Sequence, residues 1–220
     1  AYMDVHGSSP FLLHFIRVKN IRNSRSSSVN SRFPIAYHCL VRKKSPQRRK
    51  DLVRLTNRFP PEGRLLHTPE NQAACADAQG LRQAMESEAV LEGTALLCTP
   101  EHDLVVAVGP YRGLIPRTEA ALGIAEGVTR DIAILSRVGK PVCFTVTSME
   151  ESDGEPRPLL SRRRAQQKAL SYLLEHWKSG QVISARVTHL EPFGAFVDIG
   201  CGVPSLIGVE NISVSRIPHP

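Results

Sequence analysis

The sequence predicts a mainly β protein in which two five-stranded barrels are joined by a helix. The second barrel is truncated after its third strand, and the N-terminal region is largely irregular. Short strand-like segments bounded by Gly and Pro turns follow one another from residue 90. A helical stretch separates them from a second group of strands that repeats the first after about 90 residues, and such a repeat indicates arrayed modules.

Residues 1–80 are predicted to form a basic, irregular and disordered leader. Residues 1–64 contain 14 Lys and Arg against 3 Asp and Glu, whereas residues 65–220 carry a net charge of −4 in a chain whose total is +7. The basic run 42–50 has neither helical nor strand periodicity, and a pair of prolines closes the segment. This composition favours disorder, and the alternative is an arm that attracts phosphates without sequence preference.

Residues 81–163 are predicted to form the first barrel. A short helical run at 81–88 precedes five strands, and a second helical piece at 119–122 follows the third strand. Five short strands with a helical insert after the third suit a closed barrel of the oligonucleotide-binding type, the OB-fold. The predicted strands are 90–98, 103–108, 111–115, 141–149 and 159–163.

A connecting helix is predicted over residues 164–179, within a helical pattern that runs from 161 to 178. Apolar side chains recur there at three- and four-residue steps, and a glycine at 180 stops the run. We expect the apolar stripe to pack on the barrels, with Trp177 as an anchor between them and not as a platform for a base. The stripe consists of Ala165, Ala169, Tyr172, Leu173 and Trp177.

Residues 180–220 are predicted to begin a second barrel, which stops after its third strand. A closed barrel of this type needs two further strands, so the sheet edges should be open, and we expect this end to be cut from a longer protein. The strands are expected at 182–190, 195–199 and 205–209.

The most informative motif is Phe-Gly-Ala-Phe-Val-Asp-Ile-Gly at 193–200. Its small and branched residues alternate inward in a strand, so Phe196 and Asp198 should point outward, and a lone carboxylate there should be solvated. Gly194 permits the irregular backbone with which Phe193 faces the same side. Two rings on one barrel face offer a surface on which the bases of single-stranded nucleic acid stack. The alternative is that both rings belong to the core.

The motif at 193–200 resembles the S1-type RNA-binding domain, and the whole arrangement resembles the bacterial small-subunit ribosomal protein S1 family. The segment Leu159-Leu160-Ser161-Arg162-Arg163 is similar to that family's closing strand and the start of its inter-domain helix. Trp177 followed by Gly180 and a new first strand completes the resemblance, which covers residues 81–220. It implies a protein that binds single-stranded messenger RNA in translation, in the cytoplasm, with the small ribosomal subunit as a candidate partner.

The resemblance also implies which residues bind RNA, on the face of the second and third strands. Phe193 and Phe196 match the stacking rings, and Arg186 and His189, late in the first strand, are candidate polar neighbours. Each stacked base would contribute on the order of 1–3 kcal/mol.

The chain departs from the family pattern at several positions. Many members have a histidine on the third strand where this chain has Gly208. In the first barrel His102 and Val105 occupy the two aromatic positions, and Pro116 stands where the third-strand histidine would be. With the pair Tyr111-Arg112 as its only candidates, we expect the RNA face of this barrel to be degenerate and the barrel to serve as a protein-docking or spacer module.

We expect no enzymatic activity, no metal site and no cofactor. The sequence has no glycine-rich phosphate loop, no Gly-x-Ser-x-Gly motif and no His-Glu-x-x-His helix. Its five cysteines include no Cys-x-x-Cys pair, which favours reduced thiols in a cytosol. Two alternatives stay open: an RNA-binding accessory region of a ribonuclease or other RNA-processing enzyme, and a protein-interaction scaffold that uses the first barrel.

Overall fold

A computed structural model of the protein describes residues 58–152, 155–178, 181–213, 215 and 217–220. Within these residues the chain forms two short helices, a closed five-stranded barrel, a longer helix and a three-stranded sheet. The prediction of a mainly β protein is confirmed. The first 57 residues, and with them the basic run of the predicted leader, lie outside the described residues.

Two short helices occupy the end of the segment that we predicted to be irregular. Helix α1 spans Pro69–Cys75 and helix α2 spans Ala78–Glu86. Thr68 and Asp77 cap them, because each side chain accepts a hydrogen bond from a backbone amide of the first turn. Leu81 of α2 is fully buried in the barrel core. The prediction of an irregular leader up to residue 80 is therefore wrong for these helices, which at seven and nine residues are too short to show a clear apolar period.

All five strands predicted for the first barrel are present. They are β1 (Leu91–Cys98), β2 (Leu104–Val108), β3 (Tyr111–Ile115), β4 (Pro141–Ser152) and β5 (Glu155–Ser161). The strands close in the order β1-β2-β3-β5-β4, with β1 paired to β4. All pairs are antiparallel except β3 with β5, which run parallel where Leu114 meets Leu159. The prediction of a closed five-stranded barrel is confirmed.

The connection between β3 and β4 holds the predicted helical insert. A 3₁₀ helix spans Arg117–Glu119, and helix α3 spans Ile132–Leu135. The first of these begins two residues before the helical piece predicted at 119–122. The interior of the barrel is filled by branched and aromatic side chains that have no solvent exposure: Leu104, Val106, Ile115, Phe144 and Leu160.

Helix α4 (Arg162–His176) joins the barrel to the second sheet. Ala165, Ala169 and Leu173 are fully buried in one apolar cluster with residues of β4 and of the second sheet. Trp177 is partly buried against the same cluster. The predicted stripe therefore does pack on both parts of the structure. None of the described helices combines the length and the apolar character that crossing a membrane requires.

The second sheet contains three antiparallel strands in the order β6-β7-β8. They are β6 (Arg186–Glu191), β7 (Gly194–Asp198) and β8 (Pro204–Gly208), followed by helix α5 (Val209–Ile212). Each strand overlaps a predicted one. Val187 and Leu190 of β6 pair with buried residues of β7 and yet are 56% and 48% exposed, so the inner side of β6 is uncovered. The described residues thus form one closed barrel and one open sheet, and the interpretation of this sheet as the start of a second barrel stays a prediction.

A buried ion pair fixes the sheet to the barrel. Glu62 accepts hydrogen bonds from the Arg162 guanidinium at 2.7 Å from Nε and 3.1 Å from Nη2, and both residues are 4% exposed. The Glu62 carboxylate also accepts the amide of Cys143 on β4 at 3.2 Å. The Glu62 amide donates to Asp198 of β7 at 2.7 Å. This residue upstream of the barrel therefore bonds to α4, β4 and β7, and we call the contact the Glu62 junction.

The loop between β7 and β8 closes over this ion pair. Gly202 has a φ of +75°, and a β-carbon there would collide with Nη2 of Arg162 and the carboxylate of Glu62. The side-chain amide of Gln166 donates to the Gly202 carbonyl at 2.9 Å. Position 202 requires glycine for two reasons, the left-handed backbone and the close approach of the loop to the ion pair.

Replacing Glu62 by Gln should destabilise the fold strongly. The variant keeps an oxygen in place but leaves the buried Arg162 guanidinium without its counter-charge, and breaking a buried pair in this way costs about 3–5 kcal/mol. Urea unfolding followed by circular dichroism measures the loss. Glu88→Gln, which removes the exposed pair with Lys168, is the control and should leave the transition in place. An unchanged midpoint for Glu62→Gln would show that the junction pair adds nothing to stability.

Candidate nucleic-acid interface

Three aromatic side chains lie together on the outer face of the second sheet. They are His189 of β6, Phe196 of β7 and Phe193 in the turn between the two strands. His189 and Phe196 are stacked, with ring centroids 4.3 Å apart and planes inclined by 11°. Phe193 and Phe196 meet edge to face at 6.0 Å and 82°. Both arrangements are favourable for aromatic pairs. We call these three residues the aromatic cluster.

The three rings are open to solvent to different degrees. Phe193 is 55% exposed, His189 is exposed, and Phe196 is half-buried. Because His189 covers one face of Phe196, the rings most open to a further stacking partner are those of His189 and Phe193. The alternative that both phenylalanines belong to the core is wrong, and Phe196 points outward as predicted. The role of these residues in binding RNA stays a prediction.

A β-bulge turns His189 toward the outer face. Val187 pairs with Val197 and His189 pairs with Phe196, so Thr188 is an extra residue in β6. Without it, strand alternation would place His189 on the inner side together with Val187. The Thr188 hydroxyl donates to the Phe196 carbonyl at 3.2 Å and so holds the bulge. The stacked pair therefore depends on a backbone irregularity.

Close contact between β7 and β8 fixes the turn that carries Phe193. Gly194 pairs with Gly208, and a β-carbon on Gly194 would collide with the carbonyl oxygen of Ile207. Gly194 does not have a positive φ. Glycine is therefore needed at this position for the close approach of the two strands and not for unusual backbone dihedrals. The Phe193 carbonyl accepts the amide of Val209 at 2.9 Å, which ties the turn to the start of α5.

Arg186, a predicted polar neighbour of the rings, lies away from them. It opens β6 opposite Asp198, and its Nη1 donates to the Glu62 carbonyl at 2.8 Å. Its guanidinium rests over the backbone of Gly63, where a β-carbon would leave no room for Nη1. Of the two predicted polar neighbours, the aromatic cluster therefore contains only His189.

Asp198 is buried, and the prediction that it lies solvated beside the rings is wrong. Its Oδ1 accepts the amides of Gly200 at 2.8 Å and Gly202 at 3.0 Å, and its Oδ2 accepts the amide of Glu62. The chain around Glu62 covers this end of β7, so only 4% of Asp198 remains exposed. Burial raises the pKa of the Asp198 carboxyl, and the three backbone N–H groups oppose that shift.

The described residues of the first barrel contain no comparable group of rings. His102, with a φ of +68°, and Val105 are half-buried at the positions that we matched to the two rings. Tyr111 packs partly against the core, and Arg112 is exposed. The degenerate RNA face of this barrel stays a prediction.

Sequence reasoning missed three residues that surround the junction: Glu62, Arg137 and Lys140. Nη1 of Arg137 lies 3.5 Å from Glu62 Oε2, and burial together with the nearby Arg162 lowers the pKa of Arg137. Together with Arg186 these residues border a cleft of about 120 Å³ between the barrel and the sheet. No motif marks them, because they lie in connecting segments and meet only in the folded chain.

No family model matches the chain, but curated proteins named small ribosomal subunit protein bS1 do. The one from Rhodopseudomonas palustris is 34% identical over 95 residues, which cover 41% of this chain and 16% of the relative. The one from Staphylococcus haemolyticus is 28% identical over 144 residues, 64% of this chain and 34% of the relative. The one from Staphylococcus aureus (strain COL) is 31% identical over 121 residues, 53% of this chain and 28% of the relative.

The chain thus spans about a third or less of the length of these curated relatives. Their shared name agrees with the motif at 193–200, with the closed barrel and with the helix that leads to a ring-bearing sheet. These partial matches support a relationship between this chain and the ribosomal S1 family.

Proposed function

We propose that this chain binds single-stranded RNA and that its aromatic cluster stacks on the unpaired bases. It holds messenger RNA during translation, in the cytoplasm, and associates with the small ribosomal subunit. The single observation that carries the proposal is the exposed group of His189, Phe193 and Phe196 on one face of the sheet. The name of the relatives, small ribosomal subunit protein bS1, supports the setting in translation.

The geometry of the aromatic cluster gives its three rings different roles in binding. Phe193 and the outer face of His189 are the surfaces that bases stack on, while Phe196 supports the imidazole from below. Every base has a π-face, so such a surface accepts bases of any identity, and each stacked base contributes on the order of 1–3 kcal/mol. The proposal therefore includes little sequence preference.

The charge distribution makes stacking the larger part of the binding energy. Residues 65–220 carry a net charge of −4 although the whole chain carries +7. A broad positive field over this part of the protein is therefore absent, and phosphates can be attracted only where cations are locally concentrated. The proposal assigns the chain a binding role and no catalytic one.

A second candidate function, protein docking by the first barrel, is favoured by a group of exposed apolar side chains. Leu96 and Leu97 of β1 are 44% and 47% exposed, and Leu135 and Val138 of the β3–β4 connection are 44% and 40% exposed. The Gly139 amide donates to the Ala95 carbonyl at 2.8 Å, which brings the two segments together. This surface lies on the barrel without the aromatic cluster, so the two functions can be separated by mutation.

Removing the two phenylalanine rings should weaken RNA binding severely. Phe193→Ala/Phe196→Ala deletes one stacking surface and the support of the other, and each lost base corresponds to roughly a 5- to 150-fold loss in affinity. Fluorescence anisotropy with a short, unstructured, labelled RNA of mixed sequence measures the change. Leu174→Ala, which removes a 51% exposed apolar side chain from α4, is the control and should bind like the parent. Equal affinities for the parent and the double variant would overturn the proposal.

The Phe193 ring should matter little for stability, so its share of RNA binding can be measured without interference from unfolding. Phe193 is 55% exposed, so Phe193→Ala should change the free energy of unfolding by no more than about 0.5 kcal/mol. Ile207 is 5% exposed, and Ile207→Ala should cost about 2–5 kcal/mol. Thermal unfolding of the two variants side by side measures the difference. A comparable loss in both would mean that Phe193 has a structural role.

A further inference from the structure

We propose that the cleft between the first barrel and the second sheet binds a phosphate group of the RNA backbone. The inference rests on the proposed function, because it adds a phosphate site to the base-stacking surface. It assigns the first barrel a part in RNA binding that does not depend on rings. The cleft measures about 120 Å³, several times the space that a bound water needs, and residues of both parts border it.

Three cationic side chains face the cleft from two directions. Arg137 and Lys140 lie in the connection that leads into β4, and Arg186 opens β6. The two arginines are held in place, because Arg186 donates to the Glu62 carbonyl at 2.8 Å and Arg137 lies 3.5 Å from the Glu62 carboxylate. Lys140 is exposed, and its ammonium pairs with no carboxylate of the described residues. Two fixed guanidinium groups and an unpaired ammonium can donate hydrogen bonds to the oxygens of one phosphate group.

Two carboxylates also border the cleft, and both are satisfied by other partners. Glu62 is engaged by the bidentate Arg162, and Asp198 accepts three backbone amides. Arg162 and the three cations of the cleft give four positive charges against two negative ones. Glu92 is fully buried behind these residues. When its negative charge is also counted, the surroundings of the cleft carry one net positive charge.

The arginine beside the ion pair is not fully neutralised. Arg137 shares the Glu62 carboxylate with Arg162, which holds it more closely at 2.7 Å. Within the described part of the chain, its other guanidinium nitrogens bond only to the hydroxyl of Ser136, at 3.3 Å. Burial and the neighbouring Arg162 cation lower the pKa of Arg137, although Glu62 and Asp198 act in the opposite direction. An anion in the cleft would add further negative charge beside this guanidinium.

Strand β6 connects the cleft to the aromatic cluster. Arg186 and Thr188 border the cleft, and His189 belongs to the cluster. Arg186 and His189 are three residues apart, which is about 10 Å along a strand. A strand of RNA whose bases stack on the cluster can therefore carry a backbone phosphate into the cleft without sharp bending.

The test replaces Lys140, because its side chain makes no ion pair with the described residues. Lys140→Gln should reduce the steepness of the salt dependence, the slope of log affinity against log salt, by about 0.7, and should weaken RNA binding about fivefold at 0.1 M salt. Lys140→Arg should restore both values. Arg82→Gln removes the same charge from an exposed position on α2, outside the cleft, and should bind like the parent. The full chain and the labelled RNA described above are used throughout.

Further ligands separate the outcomes. An abasic oligoribonucleotide should keep the effect of Lys140→Gln and lose the effect of Phe193→Ala, because only its phosphates remain. An unchanged slope for Lys140→Gln, with binding still lost in Phe193→Ala/Phe196→Ala, would overturn the cleft proposal and leave the proposed function standing. Full binding by the ring variant would overturn the proposed function. Inorganic phosphate that binds, by calorimetry, as tightly as the RNA would assign the cleft to a free anion and overturn the backbone assignment.

Discussion

The ion pair between Glu62 and Arg162 is the interaction on which the placement of the second sheet depends. Burying two charges costs several kcal/mol each, and their attraction offsets this only where further hydrogen bonds satisfy the remaining groups. This condition is met here, because Arg162 also donates to the Ala120 carbonyl at 3.2 Å and Glu62 accepts the Cys143 amide. Two oxygens of Glu62 face two nitrogens of Arg162, so the pair also constrains the orientation of the two side chains. The junction therefore sets how the barrel and the sheet sit together.

The orientation of the aromatic cluster depends on the Glu62 junction. Asp198, at the end of β7, is bound by the Glu62 amide, and Phe196 lies two residues before it on the same strand. The bulge at Thr188 then brings His189 over Phe196. Single exposed apolar residues are ordinary on protein surfaces, so the half-exposed Phe193 alone would carry little meaning. What matters is that three rings meet on one face of a strand pair whose end is fixed, because a surface arranged in advance spends less entropy on binding.

The sequence was sufficient for features that depend on local periodicity. Alternation and turn residues located the strands, and the three-to-four-residue spacing of Ala165, Ala169 and Leu173 located the face of α4 that is buried. It was insufficient where distant segments meet. Glu62 and Arg162 are 100 residues apart, so no local pattern could show that Asp198 would be covered or that Arg186 would be drawn to the junction. The bulge escaped prediction for a different reason, since one extra residue in β6 leaves the composition of the strand unchanged.

The barrel and the second sheet need not contribute the same chemistry to one ligand. The first lacks a group of rings among its described residues, and in exchange its β3–β4 connection brings Arg137 and Lys140 to the boundary with the second sheet. Stacking on the cluster depends weakly on salt, whereas each cation–phosphate contact depends on it strongly. Glu62 connects the surface for base stacking with the cations of the cleft. It bonds to Arg162 and positions Arg137 and Arg186. Its amide also donates to Asp198 at the end of β7. Its loss would therefore disturb the proposed phosphate site and the ring surface together.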